Sequence, residues 1–190
     1  MKDQHRPAVS IRIDAQQLTQ QGESEIRSRN FAAAEKNLAE AALLAPASPR
    51  IQHLLGVALH EQDKLDRAIA CYRKAVKLDG NRADAQRDLG AAYMDKRRYS
   101  DALGCYREAI RLGPDDALAC EGAAAALREM GDVIAARKHF QRALRLRIKG
   151  RLRRLWNGLL QPFRIYARSR LFEEAKRCLD SNDIAGCEIR

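Results

Sequence analysis

Residues 89–114 read LGAAYMDKRRYSDALGCYREAIRLGP. Four positions in this stretch, Gly90, Ala102, Tyr106 and Ala109, belong to ladders that recur every 34 residues along the chain. The glycine ladder is Gly22, Gly56, Gly90 and Ala124. Two alanine ladders run through Ala34, Ala68, Ala102 and Ala136, and through Ala41, Ala75, Ala109 and Ala143. Between them lies a bulky ladder of Leu38, Tyr72, Tyr106 and Phe140. Eight alanines in eight evenly spaced slots are not a composition effect. A 34-residue self-similarity of helix–turn–helix type predicts a stacked repeat array, and with it a binding role.

The physical roles of the slots follow from helix packing. Small residues let two helix backbones approach closely, and large ones fill the space between successive hairpins. Ala102, Tyr106 and Ala109 lie at i, i+4 and i+7, one face of a 3.6-residue period. Pro46 and Pro114 follow helical stretches and stop them. No single repeat buries its apolar face alone, so the array is expected to fold as one cooperative stack.

The pattern resembles the tetratricopeptide repeat family: Leu-Gly and Tyr on helix A, then Ala, an aromatic, Ala and Pro on and after helix B. The third repeat carries it nearly complete in Leu89, Gly90, Tyr93, Tyr99, Ala102, Tyr106, Ala109 and Pro114. The second has Leu55, Gly56, Leu59, Leu65, Ala68, Tyr72 and Ala75, with Gly80 in place of Pro. The first keeps Gly22, Phe31, Ala34, Leu38, Ala41 and Pro46, with Gln21 and Glu25 in slots that are normally apolar. The fourth keeps Val133, Ala136, Phe140 and Ala143. The resemblance implies an all-α, right-handed solenoid of antiparallel helix pairs, with repeats at 15–48, 49–82, 83–116 and 117–148.

Other features of the chain agree. Its 190 residues read as one elongated domain, and no run approaches the roughly 18 apolar residues of a membrane span. Residues 1–14 have no apolar stretch behind Lys2 and Arg6, so they read as a disordered lead-in and not as a secretory signal. The five cysteines, Cys71, Cys105, Cys120, Cys178 and Cys187, are odd in number and form no C-x-x-C pair. Cys71 and Cys105 share one slot in successive repeats, as packing residues would. A reducing compartment suits such thiols, so a cytoplasmic location is expected.

Charge is uneven. The net charge is +10, yet residues 1–136 hold 20 Lys/Arg against 20 Asp/Glu. Residues 137–177 hold 14 Lys/Arg against Glu173 and Glu174, and carry the whole excess. Leu152, Leu155, Trp156, Leu159 and Leu160 trace an amphipathic helix rimmed by Arg151, Arg153 and Arg154. Trp156, Leu159, Leu160 and Phe163 also fit the helix A spacing. Phe172, Ala175 and Leu179 fit helix B, given three extra residues between the two. Residues 149–182 thus read as a degenerate fifth repeat or capping helices, with Pro162 as the misfit and 183–190 frayed. The basic segment has two readings. One is a solvated cap; the other is an anion-docking surface for nucleic acid or an anionic membrane, using Arg151, Arg153, Arg154, Arg164 and Arg168.

No catalytic motif emerges. His60-Glu61 begins like a zinc-protease helix, but Lys64 stands where the second histidine belongs. There is no phosphate loop and no nucleophile elbow, and His5, His53, His60 and His139 have no metal-ligand spacing. No enzyme activity, cofactor, metal or small-molecule substrate is expected.

The resemblance places a ligand groove on helix A. Its lining would be Arg50, His53, Val57 and His60 from the second repeat and Asp84, Arg87, Ala91 and Met94 from the third. The fourth would add Glu121, Ala125 and Arg128. Val57, Ala91 and Ala125 share one slot and form a shallow apolar floor. The family's carboxylate-clamp slots hold His53, Val57, Asp88, Leu118 and Gly122, which cannot chelate a carboxylate. The function this implies is a non-catalytic adaptor binding a peptide or helix of another protein. An anion-docking protein, or an accessory subunit or fragment of a larger enzyme, is the alternative.

Overall fold

Helices begin at Phe31, Leu65, Tyr99 and Val133, each 34 residues after the last, so the sequence ladder and the helix register coincide. The computed structural model describes residues 6–159, with side chains from 15 to 152. These residues form α1 (Arg6–Arg27), α2 (Phe31–Leu44), α3 (Pro49–His60), α4 (Leu65–Leu78), α5 (Ala83–Asp95), α6 (Tyr99–Leu112), α7 (Ala117–Glu129) and α8 (Val133–Leu159). Odd-numbered helices are the A members of the hairpins and even-numbered ones the B members. Among the described residues there is no strand.

The turn inside each hairpin is the same structure four times. Asn30, Lys64, Arg98 and Asp132 donate their N–H to the carbonyls of Glu25, Leu59, Tyr93 and Leu127. The residue before each, Arg29, Asp63, Arg97 and Gly131, has a positive φ of 61°, 60°, 56° and 85°. This is the Schellman closure, a left-handed residue that lets two N–H groups reach back to helix carbonyls left without a partner. Glycine takes this conformation freely, whereas a side chain there costs about 1 kcal/mol. Arg97→Gly is therefore expected to raise unfolding stability by up to about 1 kcal/mol, part of the gain being offset by the freer unfolded chain. Gly131→Ala should lower it by about 1 kcal/mol. Chemical denaturation of both variants checks the pair, and shifts of the same sign would contradict the turn assignment.

Helix B starts are capped where the sequence permits. Asn30, Asp116 and Asp132 side chains accept from Ala33, Ala119 and Ala135 N–H at 3.4, 3.0 and 3.0 Å, the second of these at the start of α7. Packing then follows the slots. Ala34, Ala41, Ala68, Ala75, Ala102, Ala109 and Ala143 are fully buried at the hairpin crossings. Leu38, Tyr72 and Tyr106 each lie against the glycine of their own hairpin. A Cβ on Gly22 would stand 2.5 Å from Leu38 Cγ, and one on Gly56 would stand 2.6 Å from Tyr72 Cδ1. Tyr106 sits between two glycines, Gly90 of its own hairpin and Gly122 of the next. Gly122, which slot-by-slot reading treats only as a missing side chain, makes room for that ring.

The structure departs from expectation at both ends. α1 reaches back to Arg6, so residues 6–14 are helical where a disordered lead-in was expected. Pro7 is tolerated in the first helical turn, where no N–H partner is required, and nothing after it breaks the helix. At the other end α8 runs unbroken from Val133 to Leu159 and passes the expected boundary near 148. The earlier B helices stop at Ala45-Pro46, Asp79-Gly80 and Gly113-Pro114, whereas the corresponding stretch after Leu146 contains only Gly150 as a weak breaker. The helix A of a fifth repeat therefore has no turn from which to start at 149. The remainder of that expected repeat, 160–182, and the expected frayed end at 183–190 lie outside the described residues.

Candidate functional site: the inner face of the A helices

Curvature decides which face is concave. Each A helix touches the next A helix, α1 with α3, α3 with α5 and α5 with α7, while successive B helices meet marginally at most. The A helices are therefore the inner layer. The outer side opens instead into a cleft of 440 Å³ between α4 and α6, floored by Leu89 and Tyr93 and edged by Gly104 and Cys105.

On the inner face, charged side chains of one repeat are met by those of the next. Arg50 pairs with Glu23. His53 Nε2 lies 2.8 Å from Asp88 Oδ2, and His60 Nε2 lies 2.6 Å from Asp95 Oδ2. Arg87 donates to Asp88 at 3.2 Å and to Asp116 at 3.0 Å. Arg147 donates to Glu121 at 2.9 Å, and Arg128 pairs with its neighbour Glu129. Asp84 is held by the guanidinium of Arg82. Burial would raise the Asp84 carboxyl, but the Arg82 hydrogen bonds, the His53 ring and the Ala85 N–H overcome it and hold the group down at about 2. The face thus neutralises itself, across the joints between repeats at Arg50–Glu23, His53–Asp88 and His60–Asp95 and locally at the other pairs.

His53 corrects the sequence reading. It was expected to face a ligand, yet it is buried between Asp88 and the ring of Tyr72, whose centroid lies 5.8 Å from its own. His60 meets the same ring edge-on at 6.2 Å. Both histidines are 35 residues from their aspartates, a spacing present in the sequence and available as a signal. Val57, Ala91, Met94 and Ala125 are half-buried, so the apolar floor is partly open. Arg50 and Arg128 are exposed on its margins. At the first joint the inner face deepens into a cleft of 670 Å³ lined by Gln16, Thr19, Leu44, Pro46, Arg50 and Ile51. Of the proposed anion-docking residues, Arg151 is exposed on α8. The side chains of Arg153 and Arg154, and Arg164 and Arg168 entirely, lie outside the described residues.

Burial pushes the Tyr106 hydroxyl up to about 12 and the Cys105 thiol up to about 11, nearby Asp95 and Asp101 adding to the respective shifts, so neither is a ready nucleophile. Among the described residues no three His, Cys, Asp or Glu side chains gather as metal ligands. No described helix is long and apolar enough to cross a membrane.

An all-α array of helical hairpins, self-neutralised on its concave face, defines the class. Residues 58–96 match a family described as TPR repeat, and residues 83–116 match one described as tetratricopeptide repeat. Residues 58–116 thus carry tetratricopeptide repeats, and the array of helical hairpins is a solenoid of that type. A crystal structure of MamA superposes with a TM-score of 0.69 at 24% identity, covering 72% of this chain and 80% of that one. The first TPR of Spaghetti (RPAP3), bound to the HSP90 peptide SRMEEVD, superposes at 0.61 with 18% identity, over 62% of this chain and 94% of that one. At these identities the likeness is one of fold. No curated protein matches the sequence.

Proposed function

We propose that this chain is a non-catalytic adaptor that holds a peptide or helix of another protein against its inner face. The observation that carries this reading is the contrast on that face. Its charges are engaged with one another, while Val57, Ala91 and Ala125 form an apolar strip that is left half-open among the described residues. A partner gains little by offering charge to groups already paired, but gains by burying apolar surface. The ligand is therefore a segment with small or apolar side chains on one face.

Such a site does not suit an acidic C-terminal peptide of the kind held in the RPAP3 structure. Asp88 and the paired Glu23 and Glu121 repel a carboxylate, and the clamp slots hold His53, Val57, Asp88, Leu118 and Gly122 with no lysine or asparagine among them. Calorimetric titration of the full chain with SRMEEVD is expected to show no binding. Proteins captured on the immobilised chain should resist elution as salt rises from about 50 to about 200 mM, because apolar burial is not screened. Elution in that range with a steep logarithmic slope would overturn the reading in favour of counterion-driven docking on the basic segment.

A further inference from the structure

The charges of the inner face are paired, but those of the outer cleft between α4 and α6 are not. Leu89 and Tyr93 of α5 and Val76 of α4 make its floor, with Gly104 and Cys105 on the α6 side. Asp101 on the α6 wall is already bonded to Arg98. On the α4 wall Arg73 and Lys77 stand exposed, and neither has an ion pair among the described residues. The opening depends on one residue. A Cβ built on Gly104 meets no atom within 4 Å, and the same slot holds Ala70 in α4 and Lys138 in α8. The cations are equally particular to this joint. The slots of Arg73 and Lys77 hold Ala39 and Leu43 in α2, while Arg111 of α6, the counterpart of Lys77, is tied to Glu108. An open floor and two uncommitted cations thus coincide between α4 and α6, and at neither of the other joints between B helices.

We propose that this cleft is a second docking site, on the outside of the array, for a protein segment presenting one aromatic side chain beside an acidic residue. Its volume of 440 Å³ suits a compact apolar group. A ring placed over Leu89 and Val76, in the space left by Gly104, buries its apolar surface against them. The Tyr93 ring and the Cys105 sulfur add contacts that an aliphatic side chain does not exploit. Arg73 and Lys77 are four residues apart, so they share one face of α4 and meet the neighbouring carboxylate together. A basic segment is excluded by the same charges, because Asp101 is consumed while both cations remain. SRMEEVD carries no aromatic residue and lacks the anchor. Ala91 lies about 200° round α5 from Leu89, so the inner strip and the outer cleft are separate surfaces. Both can be filled at once, and the array then bridges two protein segments across its own wall.

The test is a nuclear magnetic resonance titration of the isotope-labelled full chain with the peptide acetyl-GSDFDSG-amide. A single anchored side chain with one ion pair is expected to bind at about 1 mM, within reach of shift mapping. Shifts should centre on the amides of Lys77, Tyr93, Gly104 and Cys105, and acetyl-GSDADSG-amide should cause none. Gly104→Leu fills the floor without a clash at its Cβ, so it should melt no lower than the parent yet weaken binding at least tenfold. Arg73→Glu with Lys77→Glu should weaken it as much, while Ala91→Glu, which blocks the inner strip, should leave it unchanged. Shifts centred on Val57, Ala91 and Ala125, equal shifts with the alanine peptide, or no shifts at all would overturn the proposal. So would full binding by Gly104→Leu or by the double charge reversal, or loss of binding in Ala91→Glu.

Discussion

Gly56→Ala is expected to destabilise the array by about 1–3 kcal/mol, net of the helix-propensity gain that alanine normally brings. The added methyl would lie 2.6 Å from two ring carbons of Tyr72. That ring has nowhere to go: it is almost wholly buried, with His53 and His60 packed against it and each histidine tied to an aspartate of the next repeat. Relief therefore requires the α3–α4 crossing to widen, which disturbs the α4–α5 joint as well, because neighbouring repeats share their interfaces. Gly104→Ala is the contrasting change. No atom lies within 4 Å of a Cβ built there, so the same substitution in α6 should stabilise by about 0.5–1 kcal/mol. Thermal unfolding should show Gly56→Ala melting below the parent and Gly104→Ala above it. Equal shifts would mean that the glycine ladder does not set the hairpin crossing.

Ala91→Glu should cut partner affinity about tenfold or more while leaving the far-ultraviolet helix signal intact, a loss of about 1.4 kcal/mol or more. Ala91 is the middle of the apolar strip, half-buried, and flanked on its own helix by Arg87, Met94 and Asp95. Arg87 is already committed to Asp88 and Asp116, so an incoming carboxylate finds no free cation nearby and must be desolvated when a partner closes over it. Neutralising Arg151 in the same assay should change affinity little. If Ala91→Glu bound normally while loss of Arg151 mattered, the inner face would not be the binding surface.

The hairpin register was legible because alanine ladders are a direct imprint of close helix crossing, and the B helices start where the ladder requires. The turns were less so. A left-handed residue has a compositional signature only when it is glycine, and of the four only Gly131 is; Arg29, Asp63 and Arg97 conceal the same geometry. On the inner face, slot reasoning assigned residues to a surface but could not foresee which would be consumed by neighbours. His53 left the candidate set for that reason, since its partner Asp88 comes from the following repeat. Gly122 was misread because its role depends on Tyr106, a side chain of another hairpin. The extension of α8 past 148 was signalled by something absent, the proline or glycine pair that ends the other B helices.

The ring of Tyr106, seated against glycines of two successive A helices, acts as a spacer gauge. The distance between neighbouring A helices sets how far the array advances and bends per repeat, so the thickness of one side chain is transmitted to the geometry of everything beyond it. Leu38 and Tyr72 perform the same office at the earlier hairpins, with different bulk. An extended ligand spanning several repeats reads the accumulated total of these increments, not any one of them. A change at such a slot can then alter which partners fit without touching a residue that contacts them, by shifting the far end of the groove out of phase with the near one.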